Sequence, residues 1–251
     1  MTLFLLLLAA LVGGAANSLA GGGTFLVFPA LLLAGVASIK ANATASLIMM
    51  PGGIASAWVY RASFDKLSRR ELIQLTVASL IGSAAGSILL LSTPNATFSN
   101  LVPWLLLIAA LVFTLAPKLR AAASRSAHSK SAVLLLSGQF FIGVYGGYFG
   151  AGMGVLMIAL FLIASTMTVQ TANGIRLICG TAINVLAVII FALRGALDYK
   201  LGVPMLLAGI AGGYLGARVV ARLNDKVARN AILVYAWALT VWFFVKLYVV
   251  R

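Results

Sequence analysis

At 251 residues, 63% hydrophobic and 9% charged, with a mean hydropathy of +1.10, the chain is too apolar for a soluble globular domain and reads as an integral membrane protein. Eighteen Lys and Arg against four Asp and Glu give a net charge of +14. The basic residues stand mainly between apolar stretches, facing lipid headgroups, and no basic soluble domain exists to bind nucleic acid. The single cysteine, Cys179, excludes an internal disulfide and a cysteine-rich metal site.

Met1 to Leu19 has no basic region ahead of its apolar run and leads straight into more apolar sequence, so it reads as a mature membrane helix rather than a secretory signal. Apolar segments follow at 22–37, 41–60, 70–92 and 100–117, and again at 131–149, 152–165, 169–193, 200–222 and 228–250, five in each half. Most reach the roughly 20 residues that a bilayer core demands. The second segment of each half reaches only about 23 Å, which predicts a half-helix or one arm of a re-entrant hairpin. The basic stretches Arg61 to Glu71, Lys118 to Lys130 and Arg218 to Arg229 fall on one side if the chain starts outside. The positive-inside tendency makes that side cytoplasmic.

The halves resemble each other. A shift of about 131 places carries Gly21, Gly22 and Gly23 onto Gly152, Met153 and Gly154, and Ala41-Asn42-Ala43 onto Ala172-Asn173-Gly174. Gly82 and Gly86 fall on Gly212 and Gly216 after a one-residue adjustment. An odd number of elements per half inserts the second half upside down, which is the inverted-repeat plan of many secondary transporters. The expected organisation is all-α and polytopic, with a first repeat over 1–117, a cytoplasmic linker over 118–130 and a second repeat over 131–251.

Polar groups inside the apolar sequence gather at the two Gly-rich breaks and just beyond. They are Asn17, Ser18, Thr24, Asn42 and Thr44, and in the copy Gln170, Thr171, Asn173 and Arg176; the candidate substrate-binding residues are Asn17, Gly21, Gly22, Gly23, Thr24, Asn42, Thr44, Gly150, Gly152, Gly154, Asn173 and Arg176. Glycine lets a ligand approach the main chain, and a helix starting just after it offers N–H groups and the positive end of its dipole to an anion. The competing reading is that these glycines serve close helix packing. Arg176 has no acid near it in sequence, and a charge there is costly unless it faces a cavity, a ligand or, by snorkelling, the headgroups. Its planar guanidinium suits a bidentate oxyanion. Its counterpart in the first half is Ala45.

Asp65, Glu71, Asp198 and Asp225 all stand in or beside loops, so no carboxylate relay crosses the apolar sequence. No Ser/His/Asp set, paired carboxylates or metal cluster is present, and the only histidine, His128, reads as a solvated linker residue. The chain is therefore expected to be no enzyme and to carry neither metal nor cofactor.

Ala20-Gly-Gly-Gly-Thr-Phe-Leu-Val-Phe-Pro29-Ala-Leu31, Lys40-Ala-Asn-Ala-Thr44 and the copy Gly146-Gly-Tyr-Phe-Gly150-Ala-Gly-Met-Gly154 with Thr171-Ala-Asn-Gly174 resemble the TauE/SafE-type sulfite exporter family of bacterial permeases. The second copy departs from the pattern at Met153, where a glycine is common, and at Leu160, where the first half has Pro29. The resemblance implies a multi-pass permease of the bacterial cytoplasmic membrane that moves small anions, among them sulfur oxyanions such as sulfite or organosulfonates. A non-transporting membrane scaffold or subunit is the alternative. The implied partners are a small anionic substrate and the lipid bilayer, with no nucleic acid and with a homo-oligomer left open.

Overall fold

The computed structural model describes residues 2–20, 23–59, 68–125, 131–220 and 225–248. Among these the chain forms ten helices: α1 (Leu3–Ala20), α2 (Thr24–Leu33), α3 (Ser38–Val59), α4 (Arg69–Ser92), α5 (Asn95–Arg125), α6 (Ala132–Tyr148), α7 (Met153–Ala164), α8 (Val169–Leu193), α9 (Tyr199–Val220) and α10 (Asp225–Tyr248). Three of the described helices contain a stretch long and apolar enough to cross a membrane, at Arg69–Ser92, Asn95–Leu115 and Gln170–Leu193. The expected linker is not loop throughout. After Pro117, α5 runs on through Lys118 to Arg125, over an Ala-rich sequence with high helix propensity. The rest of the linker, including His128, and most of the basic stretch from Arg61 lie outside the described residues.

Local chemistry fixes several helix starts. Ser68 and Glu71 form a capping box at α4, in which the Ser68 hydroxyl accepts from Glu71 N–H at 3.2 Å and Ser68 N–H donates to the Glu71 carboxylate at 3.3 Å. The hydroxyls of Ser131 and Thr168 accept from Leu134 and Thr171 N–H in the same way, opening α6 and α8.

Small residues then set the packing. A β-carbon at Gly86 would stand 3.0 Å from Tyr148 N, and one at Gly143 would stand 2.8 Å from Ser79 O, so α4 and α6 meet main chain to main chain. On the other side of the bundle, a β-carbon at Gly212 of α9 would lie 2.8 Å from Leu11 Cα of α1. Gly82, Gly86 and Gly212, which the internal repeat aligns, thus serve close helix contact.

The contact order along these pairs gives the directions. Ser79 meets Gln139 and Ser87 meets Gly147, so α4 and α6 are parallel. Gly209 meets Ala10 and Gly213 meets Gly14, so α1 and α9 are parallel as well, and α3 runs with them through Thr44 against Gly202 and Ile48 against Gly209. Ser131 N–H donates to Ala164 O at 3.3 Å, which returns the end of α7 to the face where α6 began. At the opposite face the starts of α3 and α5 meet through the Ser38 and Ser99 hydroxyls at 2.7 Å, and the start of α9 meets α3 through Asp198 N–H donating to Thr44 Oγ1 at 2.9 Å. Antiparallel to α5, α10 ends at this same face, with Trp237 on Thr114 and Tyr248 on Trp104. We call the two faces the Ser131 face and the Asn95 face.

The helices α2 and α7 have 10 and 12 residues, about 15 Å and 18 Å, shorter than the apolar runs that contain them. Both lie inside. Phe25, Phe28 and Phe161 are fully buried, and Phe25 and Phe28 pack edge-on against Phe113 and Phe149 with centroids 5.5 Å and 5.6 Å apart. The longer helices expose Ile81, Phe141, Leu193 and Leu207 outward, so the broken backbone is wrapped by helices that present hydrocarbon to lipid.

Candidate functional site

The break between α6 and α7 is built by a tyrosine and two glycines. Tyr145 accepts at its carbonyl from Phe149 N–H at 2.8 Å and Gly150 N–H at 3.0 Å, while its hydroxyl donates to Ala151 O at 2.6 Å. This stops α6 and turns the chain. Gly150 and Gly152 take φ of +77° and +79°, a region that costs an L-residue with a β-carbon roughly 1–2 kcal/mol. Gly152 caps α7. In the first half Gly23 caps α2 in a right-handed conformation, pressed against Gly13, Asn17 and Met49. Gly21 and Gly22 lie outside the described residues.

The two breaks face one another across α3 and α8. Between them lies a pocket of about 70 Å³, lined by Asn17 and Thr24 from the first hairpin, Gly150, Met153 and Gly154 from the second, Ser46, Met49 and Gly52 from α3, and Arg176, Gly180, Thr181 and Asn184 from α8. That volume holds roughly five water-sized spheres, a fit for a small ion. Both short helices begin here, since Thr24 is the first residue of α2 and Met153 and Gly154 are the first two of α7. Their positive dipole ends meet in one place.

Arg176 supplies the charge. It is the eighth residue of α8, about 10 Å in from the helix start, and its Nε donates to Asn173 Oδ1 at 3.0 Å. A β-carbon at Gly154 would lie 2.7 Å from Nη1 and 3.0 Å from Cδ, so the Arg176 side chain lies close against the glycine at the head of α7. Asn173 therefore aims the fork and Gly154 makes room for it. Among the described residues no carboxylate lines the pocket, and the Oγ1 of Thr181 is buried without a hydrogen-bond partner. The donors suit an anion.

Of the residues singled out in the sequence, Asn17, Thr24, Gly150, Gly154 and Arg176 line the pocket, and Asn173 reaches it through Arg176. Gly152 faces Ala109 and Phe113 instead. Asn42 and Thr44 stand nearer the Asn95 face, where Asn42 Nδ2 donates to Tyr148 O at 3.0 Å and Thr44 accepts from Asp198. Both hold helices together. Ser46, Gly52, Gly180, Thr181 and Asn184 were not singled out in the sequence. Asn184, a lone amide in the middle of an apolar run, carried a usable signal; the others did not. Among the described residues no cluster of His, Cys, Asp and Glu could hold a metal ion.

A helical bundle with a lipid-facing exterior, two broken helices inside it and a polar pocket where they meet has the build of a membrane transporter. The sequence comparisons agree. The family model "Sulfite exporter TauE/SafE" matches residues 6–243, and the chain belongs to this family of transporters; it is not an enzyme but a multi-pass membrane protein. It is 28% identical over 224 residues to a "Probable membrane transporter protein" of Haemophilus influenzae, covering 89% of this chain and 87% of that one. It is 27% identical to the Sinorhizobium protein "Probable membrane transporter protein ORF9", covering 94% and 90% of the two chains. To Escherichia coli "Probable membrane transporter protein YfcA" it is also 27% identical, covering 93% and 86%. No solved structure matches the chain.

Proposed function

We propose that the protein is a permease of the bacterial cytoplasmic membrane that translocates small oxyanions, sulfite or organosulfonates among them, and that the pocket between the two breaks binds them. The observation that carries this reading is the lining: among the described residues one guanidinium, two helix N-termini, two amides and three hydroxyls converge with no carboxylate. The small volume favours inorganic oxyanions and the smallest organic ones. The family name points to sulfur.

The transport reading includes an inverted repeat, with units over 1–117 and 131–251. In its support, α1 pairs with α9 as α6 does with α4, while α3 packs on α8 and α5 on α10. Exchanging the halves maps each of these pairs onto another of them or onto itself. The set α1, α3 and α9 is parallel, and its counterparts α6, α8 and α4 run the other way, from the Ser131 face. The basic ends of α4, α5, α9 and α10 point to the Ser131 face, which supports reading that face as cytoplasmic.

The test is flux in proteoliposomes against a panel of sulfite, sulfate, short alkylsulfonates and carboxylates. A charge-assisted bond is worth about 1.5–3 kcal/mol, so Arg176→Gln should weaken anion binding roughly ten- to a hundredfold with the fold retained. Arg176→Lys should recover part of that, because the charge returns without the fork. No flux above protein-free vesicles for any anion, or unchanged affinity in Arg176→Gln, sinks the proposal.

A further inference from the structure

A second cavity lies at the Asn95 face, outside the translocation pocket. It has a volume of about 340 Å³, within the roughly 300–1,000 Å³ of ligand sites, and opens between the α2–α3 turn, the start of α5 and the end of α10. Its lining divides by chemistry. Ser38, Asn95, Ser99 and Lys246 supply hydroxyls, an amide and one cation, whereas Leu32, Val102, Pro103 and Phe243 supply an apolar wall. Among the described residues no carboxylate lines it. The acid at this face, Asp198, stands 4.0 Å from Lys40 and belongs to the α3–α9 contact.

The depth of the cavity is marked by aromatic rings. Trp104 Nε1 donates to Tyr248 Oη at 3.3 Å, Phe244 stacks on Tyr248, and Lys246 Nζ lies 5.0 Å from the centroid of Trp242. Trp and Tyr gather where a bilayer passes from acyl chain to headgroup. The cavity thus sits at headgroup level, with a cation and hydroxyls beside an apolar wall. A free oxyanion needs only the polar part. A phospholipid uses both, its phosphate on Lys246 and the Asn95 amide, and the glycerol end of its acyl chains on Val102, Pro103 and Phe243. We propose that this cavity is a binding site for an anionic phospholipid of the leaflet at the Asn95 face. It requires the membrane embedding of the chain and nothing of the transported substrate.

The experiment measures lipid binding to the purified full-length protein in a non-ionic detergent, by native mass spectrometry and by the thermal midpoint, with phosphatidylglycerol, phosphatidylcholine and inorganic phosphate as separate additives. Phosphatidylglycerol should bind and raise the midpoint more than phosphatidylcholine. A basic residue at a membrane surface is worth about a fivefold preference, so Lys246→Gln should bind phosphatidylglycerol about fivefold more weakly. Ala37→Glu, which sets a carboxylate on the exposed rim, should do the same, and Lys200→Gln, at the same face but outside the cavity, should bind as the wild type does. Three results overturn the proposal. One is wild-type affinity in Lys246→Gln. Another is equal loss in Lys200→Gln, which means diffuse surface charge. The third is full competition by inorganic phosphate, which means a site for free anions.

Discussion

Gly154→Ala tests whether the head of α7 and Arg176 act as one unit. The added β-carbon would stand 2.7 Å from Arg176 Nη1, where ordinary contact needs about 3.5 Å. The guanidinium must recede by about 0.8 Å. A bond to an oxyanion at about 2.9 Å would then stretch past the range in which it counts as a hydrogen bond, forfeiting about 1.5–3 kcal/mol. We predict that Gly154→Ala weakens anion binding roughly ten- to a hundredfold. Stability should hold or rise, because the obstructed atoms belong to the far end of a flexible side chain and alanine favours a helix over glycine by about 0.5–1 kcal/mol. The assay is a double-mutant cycle of anion affinity and thermal midpoint across wild type, Gly154→Ala, Arg176→Gln and the double variant. If the glycine acts through the arginine, its effect disappears once Arg176 is replaced. The reasoning fails if Gly154→Ala leaves affinity unchanged, or if it costs as much in the Arg176→Gln background.

Gly86→Ala puts a methyl group 2.8 Å from Val144 C and 3.0 Å from Tyr148 N, main-chain atoms that cannot turn aside, and should cost about 1–3 kcal/mol by overpacking. A thermal midpoint equal to wild type would show that α4 and α6 are not held at this distance. Topology is checked by cysteines at Ala37 and at Ala132 in a Cys179→Ser background. A membrane-impermeant maleimide should label only the first from outside intact cells, and labelling of Ala132→Cys from outside would reverse the assignment.

Much of the helix layout is legible in the sequence, because lipid selects apolar runs of bilayer length and the interruptions stand out as glycine and charge. Ten apolar runs correspond to the ten helices seen among the described residues. Boundaries were less legible. The apolar run ends at Pro117 and the expected linker begins at Lys118, yet α5 passes through Pro117 and through Pro103, as helices in lipid can. At the site, Arg176 and the glycines beside it were visible because charge and repeated glycine are rare in such sequence. Asn42 and Asn173, although aligned by the repeat, have different tasks: one ties α3 to the end of α6, the other aims a guanidinium. Alignment cannot separate them, since what differs is the partner, Tyr148 O in one case and Arg176 in the other. Gly52 and Gly180 border the pocket only because helices remote in sequence meet there.

The pairing of α1 with α9 also bears on how the protein is made. Helix α1 keeps its closest main-chain contact for a helix that emerges roughly 200 residues later, a separation that slows assembly. Until Gly209 and Gly212 arrive, the small-residue face of α1 lacks its partner helix, and only α2 and α3 hold the first hairpin. A nascent chain released before α9 therefore has its helices inserted and its interior open, which makes the C-terminal third the segment that turns ten inserted helices into one closed protein.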